Sequence, residues 1–263
     1  MTKWQLLHQQ VFPERKNAKR SYNSAPNPDN PTCSWKRSGK SSRFASVVPC
    51  GWAYIRKCLS WAATPLWTFG LAILLVLAGI LLTRGLHLDG LADWADGFWG
   101  GRTKEDILRI MKDPHIGTFG VAAIFTILMS KWIAFVCLVV DPEGWRWVAA
   151  AYVTSRTMQT DLICTWEYAR GNEGKASRFF EGAGYRRLIS AIFICAVILA
   201  ILFHKYPLFM ITLPISWLFT RFFGSWCNRK IGGITGDTIG ACSELVETGI
   251  LFIGAFLGTQ WTI

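Results

Sequence analysis

The chain has 263 residues, 51% of them hydrophobic, with 17 Phe, 14 Trp and a formal net charge of +11. Apolar runs that reach the length of a bilayer core argue against an ordinary soluble domain, and no strand-like alternation competes with them. The positive charge is local: residues 1–65 hold 11 Lys and Arg against Glu14 and Asp29, whereas residues 66–263 hold 17 against 15 acids. It therefore reads as a basic arm ahead of a nearly neutral membrane domain, with a lipid bilayer and not a nucleic acid as the expected partner.

Residues 1–43 are polar, and the stretch 23–31 carries three prolines, which suits disordered coil. The first 30 residues lack the apolar core of a signal peptide. Residues 44–65 are apolar but interrupted by Arg56 and Lys57, a pattern for an interfacial helix and a poor one for a span. The division expected is an arm over 1–65 and a catalytic membrane domain over 66–263. Spans are predicted at Leu66 to Leu82, Val121 to Val140, Trp145 to Cys164, Leu188 to Phe203, Leu208 to Phe223 with a kink at Pro214, and Thr238 to Leu257. Thr103, three residues before Asp106, is an N-cap signal for a short helix over 104–112. The expected fold is all-α: a polytopic membrane helical bundle of about six to seven transmembrane helices. The loops 84–117, 165–187 and 224–236 carry the basic residues and alternate with the loops 141–144 and 204–207, so the basic loops face the cytoplasm. That topology leaves the arm, the most basic segment, on the wrong side. None of the eight cysteines has metal-ligand spacing, and nothing indicates a disulfide framework.

The stretch Gly85 to Gly101, GLHLDGLADWADGFWGG, concentrates the chemistry. On a helix Asp93 lies about 40° from Asp89, and Asp96 about 20° to the other side. Three acids on one face repel one another, and a divalent cation would relieve them. The neighbouring glycines allow close approach of a backbone or a ligand. The plainer alternative is a solvated interfacial stripe. Asp237, Glu244 and Glu247 form a second helical face, within about 80°, with Gly240 and Ala241 keeping it open. Two such faces meeting in a bundle would supply two metal ions for in-line phosphoryl displacement. Arg102, Lys112, Arg170 and Lys175 are candidate phosphate grips, and His87 and His115 read as structural.

Asp93-Trp94-Ala95-Asp96-Gly97 resembles the DxxDG motif of the CDP-alcohol phosphotransferases, but Phe98-Trp99-Gly100 stand where that family has Ala-Arg. A longer likeness carries more weight. HLDGLADWADGFWGGR, ILRIMKDPHIGTFG and GGITGDTIGACSELVE, with Ser155-Arg156 and Tyr168-Ala169-Arg170 more loosely, resemble the cobalamin synthases, the adenosylcobinamide-GDP ribazoletransferase family, over roughly residues 72–257. That resemblance implies a Mg²⁺-dependent, multi-pass enzyme of the bacterial inner membrane, its active site on the cytoplasmic side. Its substrates would be adenosylcobinamide-GDP and α-ribazole or its 5′-phosphate, with GMP released. A homo-oligomer or a complex with other corrinoid-assembly enzymes is compatible with it. It assigns Asp89, Asp93, Asp96 and Asp237 to metal, Glu244, Glu247 or Asp237 to catalysis, and Arg102, Lys112, Asp113, Arg156, Arg170 and Lys175 to substrate. The region 43–67 departs from the family, with charges where a first span is expected, as in a diverged or frame-disrupted segment. Two competing readings remain: a CDP-alcohol-type phosphotransferase, disfavoured by the missing Ala-Arg, and a transporter, disfavoured because the acids fall at span ends and no internal repeat is visible.

Overall fold

A computed structural model describes residues 66–170, 180, 182–204 and 211–258. Among these residues the structure is helical: α1 (Leu66–Thr83), α2 (Leu86–Gly100), α3 (Lys104–Ile110), α4 (Thr118–Val139), α5 (Gly144–Thr165), α6 (Tyr185–Leu202), α7 (Thr212–Ile231) and α8 (Gly236–Gly258). Residues 44–65 and Lys175 lie outside the described residues.

Among the described residues four helices, α1, α4, α6 and α8, are long and apolar enough to cross a membrane. At 1.5 Å per residue the 22 residues of α4 extend about 33 Å, a bilayer core with little to spare. Helix α8 is two-thirds buried and forms the centre, while α1 and α6 expose most of their surface, as lipid-facing helices do. Helices α5 and α7 are also of spanning length, but their composition is more polar. Their charges meet inside the bundle: the Arg221 guanidinium of α7 donates to the buried Asp161 carboxylate of α5 at 2.9 Å. Pairing of this kind is what lets a charged side chain sit at membrane depth.

Two expectations are corrected here. Pro214 does not kink a span. It is the third residue of α7, in the first turn, where its missing N–H would have had no helical partner anyway. And Gly240 and Ala241 do not keep the second acidic face open: α2 packs on it, and the glycines admit a backbone, one of the two uses expected of them. A Cβ on Gly90 would stand 2.8 Å from the Asp237 carbonyl oxygen, and one on Gly240 would stand 3.2 Å from the His87 Cα. These glycines therefore let α2 and α8 lie backbone to backbone, running antiparallel, and Ala241 is fully buried. Helix α2 is also held by aromatic rings: Trp94 packs on Phe223 and Trp226 of α7 at 5.3 and 5.7 Å, and Phe98 on Trp226 at 5.3 Å. Each such pair contributes about 1 kcal/mol beyond its area. Trp94 and Trp226, two of the tryptophans conspicuous in the composition, thus hold α2 against α7.

Candidate active site

Three connections converge at one end of the bundle. The first is α3, whose N-cap Thr103 accepts from the Asp106 N–H at 3.2 Å, as its spacing predicts; the helix closes at Ile110. Ile107 is buried and packs against Gly97 and Gly101 of the α2 end, tying α3 to it. The second and third join by a two-residue bridge. The Ala169 N–H donates to the Ile234 carbonyl at 2.8 Å, and the Ile234 N–H to the Glu167 carbonyl at 2.9 Å. Gly233, at φ 150°, makes that approach possible: a Cβ there would be strained and would run into the 167–169 backbone. Thr235 then starts α8 with a reciprocal cap, its hydroxyl accepting from the Thr238 N–H at 3.2 Å and the Thr238 hydroxyl from the Thr235 N–H at 2.8 Å.

This joint sets Arg170 against Asp237, in the first turn of α8. The guanidinium donates to the carboxylate at 3.1 Å and reaches the Met111 carbonyl at 3.5 Å. Among the described residues no acceptor meets the buried Arg170 Nε. Across from Asp237 lie Asp93 and Asp89 of α2. Burial first, then Asp237 and Asp89, push the Asp93 carboxyl up to about 7, against the pull of Arg170. Three acids thus share one paired cation, and the four groups together carry a formal charge of −2.

Asp96 leaves this group. Its two oxygens accept the Gly117 and Gly120 N–H groups at 2.7 and 2.8 Å, so it caps α4 and meets that helix's positive end. A Cβ at Gly117 or Gly120 would collide with its carboxylate, which explains both glycines of HIGTFG. Of the three α2 acids expected to act together from one face, Asp96 thus turns to α4, apart from Asp89 and Asp93.

Glu244 and Glu247 lie about 10 and 15 Å further along α8 than Asp237. They are buried and paired with Lys131 of α4 at 2.7 and 2.5 Å. Arg156 sits beside them, 3.7 Å from Glu247, with its guanidinium donating to the Ser243 hydroxyl at 2.7 Å and to His87 Nδ1 at 2.9 Å. The second acidic face therefore splits: Asp237 joins the α2 acids and the two glutamates do not. Lys131 was missed in the sequence, although it is the one charged residue in α4, a strong signal for a buried partner.

Of the other candidates, Arg102, Lys112 and Asp113 are exposed. Asp113 closes a turn, accepting from the His115 backbone and ring at 3.0 and 2.7 Å, and those bonds hold its carboxyl below the usual range.

The acids and arginine fit hard-cation and phosphate chemistry. Mg²⁺ uses oxygen ligands and commonly takes only one or two carboxylates, completing its shell with water and substrate phosphate. Among the described residues no group of three or more His, Cys, Asp or Glu is arranged to hold a metal ion.

Fold and site define a multi-pass helical membrane protein with an acidic, arginine-bearing centre suited to phosphoryl chemistry. The chain belongs to the cobalamin-5-phosphate synthase family, which it matches over residues 25–255, a stretch that begins inside the basic arm. Among its relatives is the adenosylcobinamide-GDP ribazoletransferase of Chlorobaculum tepidum, 45% identical over 195 residues, covering 73% of this chain and 76% of that one. The enzymes of the same name from Chlorobaculum parvum (45% over 185 residues; 70% and 72%) and Shewanella baltica (34% over 227 residues; 83% and 84%) are similar too. No solved structure matches the chain.

Proposed function

We infer that this chain is an adenosylcobinamide-GDP ribazoletransferase: it joins adenosylcobinamide-GDP to α-ribazole or its 5′-phosphate and releases GMP. Family membership supports the reaction, and the site observation that carries it is the group Asp89, Asp93 and Asp237 set against Arg170. The ribazole hydroxyl attacks the phosphorus on the cobinamide side. A P–O bond forms there, the P–O bond to GMP breaks, and the hydroxyl proton passes to a carboxylate. Arg170 is the group suited to grip a phosphate, since its guanidinium is partly exposed beside Asp237. Asp89, Asp93 and Asp237 would hold Mg²⁺, which when bound offsets charge on the pyrophosphate and on the leaving GMP. Charge matching supports this choice of ligands. The acids with Arg170 sum to −2, which one divalent cation cancels, whereas Glu244 and Glu247 are already balanced by Lys131 and Arg156. The basic loops at this end favour a cytoplasmic site in a bacterial inner membrane.

The test is GMP release by the protein in lipid, given adenosylcobinamide-GDP, α-ribazole 5′-phosphate and Mg²⁺. Release that stops with EDTA and falls away in Asp93→Asn is the expected result. Near-normal turnover in Asp93→Asn would remove that residue from the centre, and the absence of GMP from the wild type would overturn the reaction. A transporter reading has one observation in its favour, the charges at depth in α4 and α8, but those charges are locked in pairs.

A further inference from the structure

Four charged side chains meet inside the bundle away from the acidic centre. Lys131 of α4 donates to Glu244 at 2.7 Å and to Glu247 at 2.5 Å, and all three are buried. Arg156 of α5 approaches Glu247 at 3.7 Å. Two cations and two anions cancel, so this cluster calls for no metal. Beside it, walled by Val76, Gly79, Leu128, Phe135 and Tyr152, is a cavity with room for about one water molecule, too small for a substrate.

The cluster reaches α2 through one guanidinium. Arg156 Nη1 donates to His87 Nδ1 at 2.9 Å, while the Gln159 amide nitrogen lies 3.0 Å from His87 Nε2. Ser243 of α8 accepts from the same Nη1 at 2.7 Å. His87 stands two residues before Asp89, at the place where α2 lies directly on Gly240. A helix seated on a glycine has no side-chain ridge there to stop it turning. The imidazole held from α5 supplies that stop, and any rotation of α2 would carry Asp89 and Asp93 away from Asp237.

We propose that Lys131, Glu244, Glu247 and Arg156 form a charge-neutral positioning cluster that sets the rotation of α2 through His87, and that Glu247 is a positioning residue and not the base of the transfer. Lys131 holds Glu247, Glu247 orients Arg156, and Arg156 holds His87. This role rests on the assignment of Asp89, Asp93 and Asp237 to the reaction.

The experiment compares wild type, Lys131→Met, Lys131→Met/Glu244→Gln and Glu247→Gln in lipid by two readouts. One is the pH profile of GMP release, and the other is Mn²⁺ affinity read by its paramagnetic resonance signal. Lys131→Met leaves two buried acids facing Arg156 alone, and it should lose about tenfold or more in both readouts, as supporting residues around metal sites do. The double variant is neutral again and keeps the Glu247–Arg156 contact, so it should recover most of both. Glu247→Gln should weaken Mn²⁺ binding and kcat by about tenfold, with the acidic limb of its pH profile unmoved. Loss of that limb would make Glu247 the base and overturn the proposal. So would a folded Glu247→Gln with wild-type kcat and Mn²⁺ affinity, or a double variant no better than Lys131→Met. If the wild type binds Mn²⁺ but releases no GMP, the transferase reading fails while the Mn²⁺ affinities of the variants still decide the positioning role. If it does neither, both fail.

Discussion

Arg170 and Asp237 meet at 3.1 Å although 67 positions separate them in the chain. Their meeting depends on a bridge of two backbone hydrogen bonds between residues 167–169 and Ile234, and both side chains remain partly open, 18% and 24% exposed. A pair so placed can exchange partners when a phosphate and a cation arrive. Arg170→Ala should therefore cut turnover by about a hundredfold, the scale of losing one preorganised charge. Arg170→Lys keeps the charge without the planar fork and should recover only part of it. GMP release per folded enzyme is the measurement, and equal activity in wild type and Arg170→Ala would remove the residue from the site.

The contact between α2 and α8 is set by glycine. Gly90→Ala places a methyl 2.8 Å from the Asp237 carbonyl and 2.9 Å from its Cα, both backbone atoms that cannot swing away. Overpacking of this kind costs about 1–3 kcal/mol. In the active site it also separates Asp93 from Asp237, so activity should fall further than thermal stability implies. A Gly90→Ala protein of normal stability and turnover would show that the helices can part freely.

Gly120→Ala is a sign test. On an exposed helix, Ala in place of Gly stabilises by about 1 kcal/mol. Here the methyl meets the Asp96 carboxylate, so the substitution should lower the unfolding temperature. Asp96→Ala removes the acceptor of two backbone N–H groups and should cost about 1–2 kcal/mol. Thermal unfolding in detergent reads both, and a higher midpoint in Gly120→Ala would contradict the cap.

Thr238→Ala removes half of the reciprocal cap that starts α8, a loss of about 1 kcal/mol. Because Asp237 lies inside that first turn, the variant should also need more Mg²⁺ for half-maximal turnover. A changed melting temperature with an unchanged Mg²⁺ requirement would show that the turn holds its shape without the cap.

Much of this arrangement is legible residue by residue, and the parts that are not have a physical reason. Apolar runs place α1, α4, α6 and α8 because bilayer length is a local property. The Thr103 cap is legible for the same reason, as donor and acceptor lie three residues apart. Helical spacing puts Asp89 and Asp93 on one face correctly. It cannot tell that Asp96 turns to the start of another helix 21 residues later, because the N–H groups it satisfies belong to a different element. Nor can it separate Asp237 from Glu244 and Glu247, which share a helix face but meet different partners along its length. The partner that decides, Lys131, was visible as a lone charge in an apolar run, but its acids are 113 and 116 positions away. The glycines among the acids were expected to admit a backbone or a ligand, and only tertiary contacts decide between the two.

The most direct measurement is GMP release in lipid from adenosylcobinamide-GDP and α-ribazole 5′-phosphate, titrated with Mg²⁺ in wild type and Asp93→Asn. Release should appear only with the metal, stop with EDTA, and fall by about a hundredfold or more in the variant. Full release in EDTA, or an Asp93→Asn protein with wild-type turnover, would contradict a reaction centred on Asp89, Asp93 and Asp237.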